Sequence, residues 1–460
     1  MACWTATGRP RATGRCSRKL KRRPTHSLIH GILTHGNPLR FAYSLAVYIA
    51  APLISLLMLC RGLKDRSYWR NFSERFGFGP RLDGSGVWIH AVSVGEVQAA
   101  APLVASLRQH FPDIPLIVTT LTPTGAARAR AMFKDGVRVR YVPFDLPGSV
   151  KRFFNRVHPR LAVIFETELW PNLYHECGKR RVPLVLASAR ISAKSAGRYR
   201  KLGRLFRDAL SQGVVIAAQA AGDAGRFRDI GADPDRTHVT GNLKFDFAVP
   251  PNTIAHGQQL RDHYAPGRPV WVAGSTHRGE EEAALEAHKI VRTVHPGALL
   301  VVVPRHPNRF NDVASVIEQS GVSFARRSRE GSGTEPESPE VLLVDSLGEL
   351  LDFYAACDVA FVGGSLVPIG GHNLLEPAAL GLPILTGPHN FNGEDIARLL
   401  ISRGAAQVVA DSRALGRTVT ALLSDPAERA RIGAEGRASV DGNRGALAKL
   451  LGLINPLLQQ

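Results

Sequence analysis

Cysteine is scarce in this chain. Five stand among 460 residues, at Cys3, Cys16, Cys60, Cys177 and Cys357, with no Cys-x-x-Cys pair and no Cys/His spacing that would suit zinc. That excludes a disulfide framework and a structural zinc site, and it fits a reducing compartment. Acid is missing from the first 40 residues, where Arg9, Arg11, Arg15, Arg18, Lys19, Lys21, Arg22, Arg23 and Arg40 stand without one Asp or Glu and without amphipathic period. Charge of either sign is missing from Phe41–Cys60. No internal repeat is evident beyond two α/β halves. Charged residues make up 21% of the chain and apolar ones 44%, which is too apolar a balance for a disordered protein.

Base is what the chain has in excess. Its 58 Lys and Arg against 39 Asp and Glu leave a net charge of +19. Such a surface suits an anionic partner: nucleic acid, an acidic membrane face or a phosphorylated substrate. Residues 1–40 read as a basic extension, either a nucleic-acid-binding arm or a membrane-attracted tail, and no function is assigned to them. Residues 41–60 read as a membrane anchor. The uncharged run matches the roughly 20 residues a helix needs to cross a bilayer, with Pro52 interrupting it. A buried core helix is the alternative. Basic residues on both sides leave orientation open. Arg61–Phe76 mixes Arg and Lys with Tyr68, Trp69, Phe72 and Phe76, the composition of a helix lying in a membrane interface or of an amphipathic domain helix.

The body alternates strand and helix. Val87–Val92 reads as a buried strand, Ser93–Glu96 as a turn and Val97–His110 as a helix. Glu96 therefore stands at a strand C-terminus and a helix N-terminus, where open α/β sheets place active sites. A carboxylate there can take a proton from a hydroxyl, or it is an ordinary first-turn dipole partner. Leu161–Phe165 reads as a strand ending in Glu166-Thr167-Glu168-Leu169-Trp170-Pro171-Asn172. Arg198–Arg207 reads as a basic helix, an exposed face or a receiver of an anionic headgroup. Lys244 in Gly241–Asp246 can neutralise a departing phosphate or is simply a surface lysine. Proline-rich Ala248–Thr253 reads as the linker. A second α/β half follows. Its strand Leu299–Val303 leads into Pro304-Arg305-His306-Pro307, where Arg305 can grip a phosphate bidentately. Residues 327–340 read as a solvated loop, and Ala414–Leu450 as closing helix.

The stretch Val362–Asn392 organises this half. A strand, Val359–Val362, ends in Gly363-Gly364. Gly370-Gly371-His372-Asn373 follows, then a helix over Leu374–Leu380 with Asn373 as cap, then a strand over Leu382–Leu385. A glycine loop lets backbone N–H groups approach an anion. Glu376 beside it makes sense as an acceptor for two ribose hydroxyls, or as a first-turn dipole partner.

These phrases carry a resemblance. HAVSVGE around Glu96, ETELWPN from Glu166, GNLKFD around Lys244, VPRHP around Arg305 and GGHNLLEPAALGLPILTGPHNFN are similar to the Kdo (3-deoxy-D-manno-octulosonic acid) transferases of lipopolysaccharide synthesis. That family usually has Asn where Ser188 stands. The resemblance covers roughly Phe41 to Asn392. It implies a glycosyltransferase of GT-B type: two Rossmann-like domains facing a cleft, an acceptor domain at 61–247 and a CMP-sugar domain at 254–460, with a last helix crossing back to the first domain. It implies an inverting transfer of Kdo from CMP-Kdo to the lipid A precursor lipid IVA. Glu96 would be the base, and Glu166 and Lys244 would support the transition state. Pro304, Arg305, Leu347, Gly348, Glu349, Asn373, Leu374, Leu375 and Glu376 would hold CMP. No Asp-x-Asp pair stands at these loops, and Arg and Lys can neutralise a single phosphate, so no metal and no cofactor are expected. The implied partners are the donor, an anionic lipid acceptor and a membrane surface, at the inner membrane with the catalytic domains facing the cytoplasm. Nucleic acid is not among them. Two rivals remain. A UDP- or GDP-sugar transferase of the same architecture would keep Glu376 but would not require the three phrases together. A membrane-tethered nucleic-acid-binding protein fits residues 1–40 and not the α/β body.

Overall fold

The computed structural model of the chain describes residues 38–134, 136–330, 336 and 338–459. Residues 1–37 of the basic extension and part of the solvated loop at 327–340 lie outside the described residues.

The first half is a seven-stranded sheet. Its strands are β1 (Val87–His90), β2 (Leu116–Thr120), β3 (Val137–Tyr141), β4 (Leu161–Phe165), β5 (Leu184–Ala189), β6 (Val215–Ala218) and β7 (Thr237–Val239). They pair in parallel in the order β3-β2-β1-β4-β5-β6-β7. Parallel strands with helices on both faces are apolar end to end. The Leu161–Phe165 strand, LAVIF, accordingly has every residue buried. Trp88 of β1 is fully buried, with ring centroids 4.9 Å from Phe153 and 5.8 Å from Phe154. Truncating such a ring to Ala costs about 3–5 kcal/mol.

The second half repeats the plan. β8 (Val270–Thr276), β9 (Leu299–Pro304), β10 (Phe324–Arg326), β11 (Val341–Leu343), β12 (Val359–Val362), β13 (Ile384–Thr386) and β14 (Ala406–Val408) pair in parallel in the order β10-β11-β9-β8-β12-β13-β14. In each sheet the chain order reverses beside the first strand, between β1 and β4 and between β8 and β12. Ligands bind at such switch points, outside the carboxyl ends of the strands.

The two halves are joined at the far end of the chain. Ala446–Leu458 buries Ala446, Leu450, Ile454 and Leu458 in the core of the first half. Asp246 accepts hydrogen bonds of 2.6 Å from the backbone N–H groups of Gly445 and Leu447, at the start of that helix. The expected single helix over Ala414–Leu450 is instead three: Ser412–Ser424, Pro426–Asp441 and Ala446–Leu458. Asp425-Pro426 ends the first of them, because proline lacks the N–H a helix interior needs, and Gly445, at φ 95°, turns the chain before the last.

Among the described residues one helix, Pro38–Lys64, is long and apolar enough to cross a membrane. Its 27 residues span about 40 Å. Phe41, Ile49 and Leu53 are 73%, 70% and 61% exposed, with no protein to cover them. Pro52 lies inside this helix without ending it. The helix is tied to the body near its start, where Tyr43 Oη donates to Asp145 Oδ2 (2.9 Å) and Ser44 Oγ to Asn172 Oδ1 (3.0 Å). The interfacial helix expected at Arg61–Phe76 does not form. Asp65 ends the long helix, and two short 3-10 turns follow at Arg66–Tyr68 and Phe72–Phe76. Glu74 and Arg75 turn inward. Glu74 accepts from Tyr141 N (2.8 Å), and the Arg75 guanidinium lies 4.2 Å over the Tyr141 ring. The basic run at Arg198–Arg207 is also two helices, Ala193–Lys201 and Gly203–Leu210, hinged at Leu202.

Candidate active site

The β1 and β4 strand ends bring three carboxylates together. Ser93 caps the Val94–His110 helix by accepting from Glu96 N, which places Glu96 in the first turn. Its side chain folds back over the strand end. Oε2 accepts from Val92 N (2.8 Å), and Oε1 accepts from Ser93 Oγ (3.1 Å). Only 8% of the residue is exposed. Burial pushes its carboxyl up to about 7, with the charges of Glu166 and Glu168 adding to the rise. A general base works best with a pKa near the operating pH.

Glu166 follows the last residue of β4 and adopts φ 58°, a left-handed conformation that L-residues other than glycine rarely take. Strain of this kind, on the order of 1–3 kcal/mol, collects at functional sites. The turn aims the carboxylate at two cations. Lys244 Nζ donates to Oε1 at 3.1 Å, and Arg190 Nε donates to Oε2 at 3.0 Å. Lys244 is held in a short 3-10 turn, Leu243–Asp246, whose cap residue Asn242 accepts from Lys244 N. Ser188, buried and at φ 47°, accepts from Leu243 N (3.1 Å) and so ties the β5 loop to the Lys244 turn. Glu168 turns to Trp170, whose Nε1 donates to it at 2.6 Å.

The carboxyl ends of the second sheet's strands hold the other residues singled out from the sequence, after β9, β11 and β12. Arg305 follows β9 with its side chain exposed. Its backbone N–H donates to Thr276 O (3.0 Å). Glu376 accepts from Asn373 Nδ2 (3.1 Å). Burial raises its carboxyl, opposed by that bond and by the charges of Arg305 and of Arg128 from the first half. The Leu375–Leu380 helix starts one residue later than expected, and Asn373 Oδ1 accepts from Leu375 N. Leu374 and Leu375 are buried, and Leu347 is 75% exposed beside Gly348. Burial works against the charge on Glu349, but the Arg327 and Ser346 hydrogen bonds outweigh it and hold the carboxyl below its usual range.

The glycine loop departs from expectation. Its N–H groups are already occupied by Glu280, a fully buried carboxylate at the head of the helix after β8. Oε2 accepts from Gly364 N (2.7 Å) and His277 N (3.0 Å), and Oε1 accepts from Ser365 N and Leu366 N (2.9 Å each). A Cβ on Gly363 would lie 2.7 Å from Ser275 O and 2.8 Å from Glu280, so glycine is needed for that close approach. Glu280 is not among the residues singled out from the sequence. Sequence reasoning also missed His277 and His372, whose Nε2 atoms lie 2.9 Å apart with the rings stacked. Burial, helped by Arg305, pushes His372 down to about 3. Among the described residues no group of three or more His, Cys, Asp or Glu is arranged to hold a metal ion.

A family model described as 3-deoxy-D-manno-octulosonic-acid transferase (kdotransferase) matches residues 70–247, the stretch with Glu96, Glu166 and Lys244. The 3-deoxy-D-manno-octulosonic acid transferase of Haemophilus influenzae is 42% identical over 425 residues, 92% of this chain and 99% of that protein. The chain belongs to the Kdo transferase family. The family's Bordetella pertussis member is 38% identical over 90% of this chain and 98% of its own. A UDP-GlcNAc 2-epimerase from Neisseria meningitidis, solved with UDP-GlcNAc, shares the fold at 12% identity and a TM-score of 0.53, over 82% of this chain and all of that one. The Kdo transferase described here is thus a glycosyltransferase with two parallel-sheet α/β halves and one apolar N-terminal helix.

Proposed function

We propose that this Kdo transferase moves Kdo from CMP-Kdo to a hydroxyl of the lipid A precursor lipid IVA, with inversion at the anomeric carbon. Glu96 takes the proton of the acceptor hydroxyl as its oxygen bonds to the anomeric carbon. The bond from that carbon to the phosphate oxygen breaks, and CMP leaves with the electron pair. Lys244, steered by Glu166, and Arg305 neutralise the departing phosphate. Pro304, Arg305, Leu347, Gly348, Glu349, Asn373, Leu374, Leu375 and Glu376 line the CMP site, with Glu376 toward the ribose and Leu374 and Leu375 acting through the backbone. Residues 61–247 serve the acceptor and 254–460 the donor. The observation that carries the reading is the Glu96 carboxyl, raised to about 7 beside the Glu166–Lys244 pair.

The helix Pro38–Lys64 anchors the enzyme in the inner membrane, with the body on the cytoplasmic side. The net charge of +19 supports that placement, because it favours an anionic leaflet and a phosphorylated lipid. The test is transfer in detergent micelles with CMP-Kdo, lipid IVA and EDTA, read by mass spectrometry. A mass gain of one Kdo or more is the expected result. No product from folded, CMP-binding enzyme overturns the acceptor assignment.

A further inference from the structure

Arg190 belongs to neither set of residues singled out from the sequence, yet it stands where the two halves meet. Its backbone is fixed on both sides. Its carbonyl accepts from Thr167 Oγ1, and the next N–H, of Ile191, donates to Asp223 Oδ1 at 2.9 Å. From there the guanidinium donates through Nε to Glu166 Oε2 (3.0 Å). Through Nη1 it donates to Asp395 Oδ2 (3.1 Å), in the first turn of the Glu394–Ser402 helix of the second half. Its side chain is 41% exposed, open to a ligand in the cleft. A guanidinium has five N–H donors. Two are used here, and the other three have no partner among the described residues.

The donor's chemistry asks for such a group. An ulosonic acid carries its carboxylate on the anomeric carbon, so in its nucleotide-activated form that carbon bears two anions, the carboxylate and the phosphate. In the proposed reaction Lys244 and Arg305 neutralise the phosphate. The sugar carboxylate would then meet Glu96, Glu166 and Glu168, whose charges already act on one another. A fourth carboxylate entering there needs its own cation. A neutral sugar in the same cleft would not.

We propose that Arg190 binds the carboxylate of the donor sugar and selects for a sugar acid. This rests on the reading of the donor as CMP-Kdo. The planar fork of Arg matches a carboxylate with two parallel hydrogen bonds, and Lys cannot reproduce that geometry. Glu166 holds the fork in place before the donor arrives.

Titration of CMP and of CMP-Kdo, without acceptor, separates the possibilities. Wild type binds CMP-Kdo more tightly than CMP. Arg190→Ala binds CMP as wild type does, which also shows that it is folded, and loses about 10- to 100-fold in CMP-Kdo affinity. Arg190→Lys recovers part of that loss, and Asp395→Asn leaves CMP-Kdo affinity unchanged. Equal weakening of CMP and CMP-Kdo in Arg190→Ala, or the same loss in Asp395→Asn, overturns the proposal and makes Arg190 a tie between the halves. Because no transfer is measured, an enzyme that binds CMP-Kdo through Arg190 but makes no lipid product overturns the proposed acceptor and leaves Arg190 in its role.

Discussion

The carboxylate of Glu280 accepts a 2.7 Å hydrogen bond from the backbone N–H of Gly364, 84 residues away. With His277, Ser365 and Leu366 it gathers four N–H groups around one buried anion. A glycine loop that elsewhere cradles a phosphate is here closed by the protein's own acid, and the loop becomes a rigid ledge before Asn373 and Glu376.

Replacing Glu280 by Gln is therefore severe although nearly isosteric. The amide turns an NH2 toward two donors and removes the charge from the rest. Hydrogen bonds to a charged group contribute about 1.5–3 kcal/mol each, so Glu280→Gln should lose at least ~3 kcal/mol of stability in urea unfolding. CMP affinity should fall with it, because the ledge carries Asn373 and Glu376, which we propose hold the nucleotide. An unchanged unfolding midpoint contradicts this role.

Glu96 carries the opposite bargain. Its folded-state pKa of about 7 stands above the ordinary 4.5. Between those values the folded state binds more protons than the unfolded one, so this group's contribution to stability falls as pH rises from about 4.5 to about 7. The ionised form then costs the fold on the order of 3 kcal/mol. Glu96→Gln keeps an acceptor for Val92 N and carries no charge. It should be more stable than wild type at pH 8 and close to it at pH 4.5, as thermal unfolding at the two values would show. Equal differences at both pH values contradict the raised pKa.

Much of the frame was legible. Leu161–Phe165 and Val359–Val362 have the strand limits their sequence suggests, because an apolar run buried on both faces stops where polar residues or glycines begin. Glu96 was legible because a strand end and a helix start fix its place. What was missed depends on pairs distant in sequence. His277 meets His372 across 95 residues and Arg190 meets Asp395 across 205, and neither pairing leaves a local period. The Arg61–Phe76 segment misled because its amphipathic composition says nothing of Glu74 and Arg75, which the β3 end draws inward.

The Pro38–Lys64 helix should govern membrane binding. Ile49 and Leu53 face outward on it and touch no core. The double variant Ile49→Lys, Leu53→Lys should fold as wild type by circular dichroism. It should pass from the pellet to the supernatant when sedimented with vesicles of phosphatidylglycerol and phosphatidylethanolamine. Retention in the pellet contradicts the helix as anchor and points to the basic body as the membrane-binding surface.

The most direct test of the central claim is Kdo transfer by Glu96→Gln at pH 8, with CMP-Kdo and lipid IVA in micelles. General-base catalysis contributes about 10²–10⁴-fold, so product formation should fall by that factor while CMP affinity stays at the wild-type value. Turnover within a few-fold of wild type would contradict Glu96 as the base.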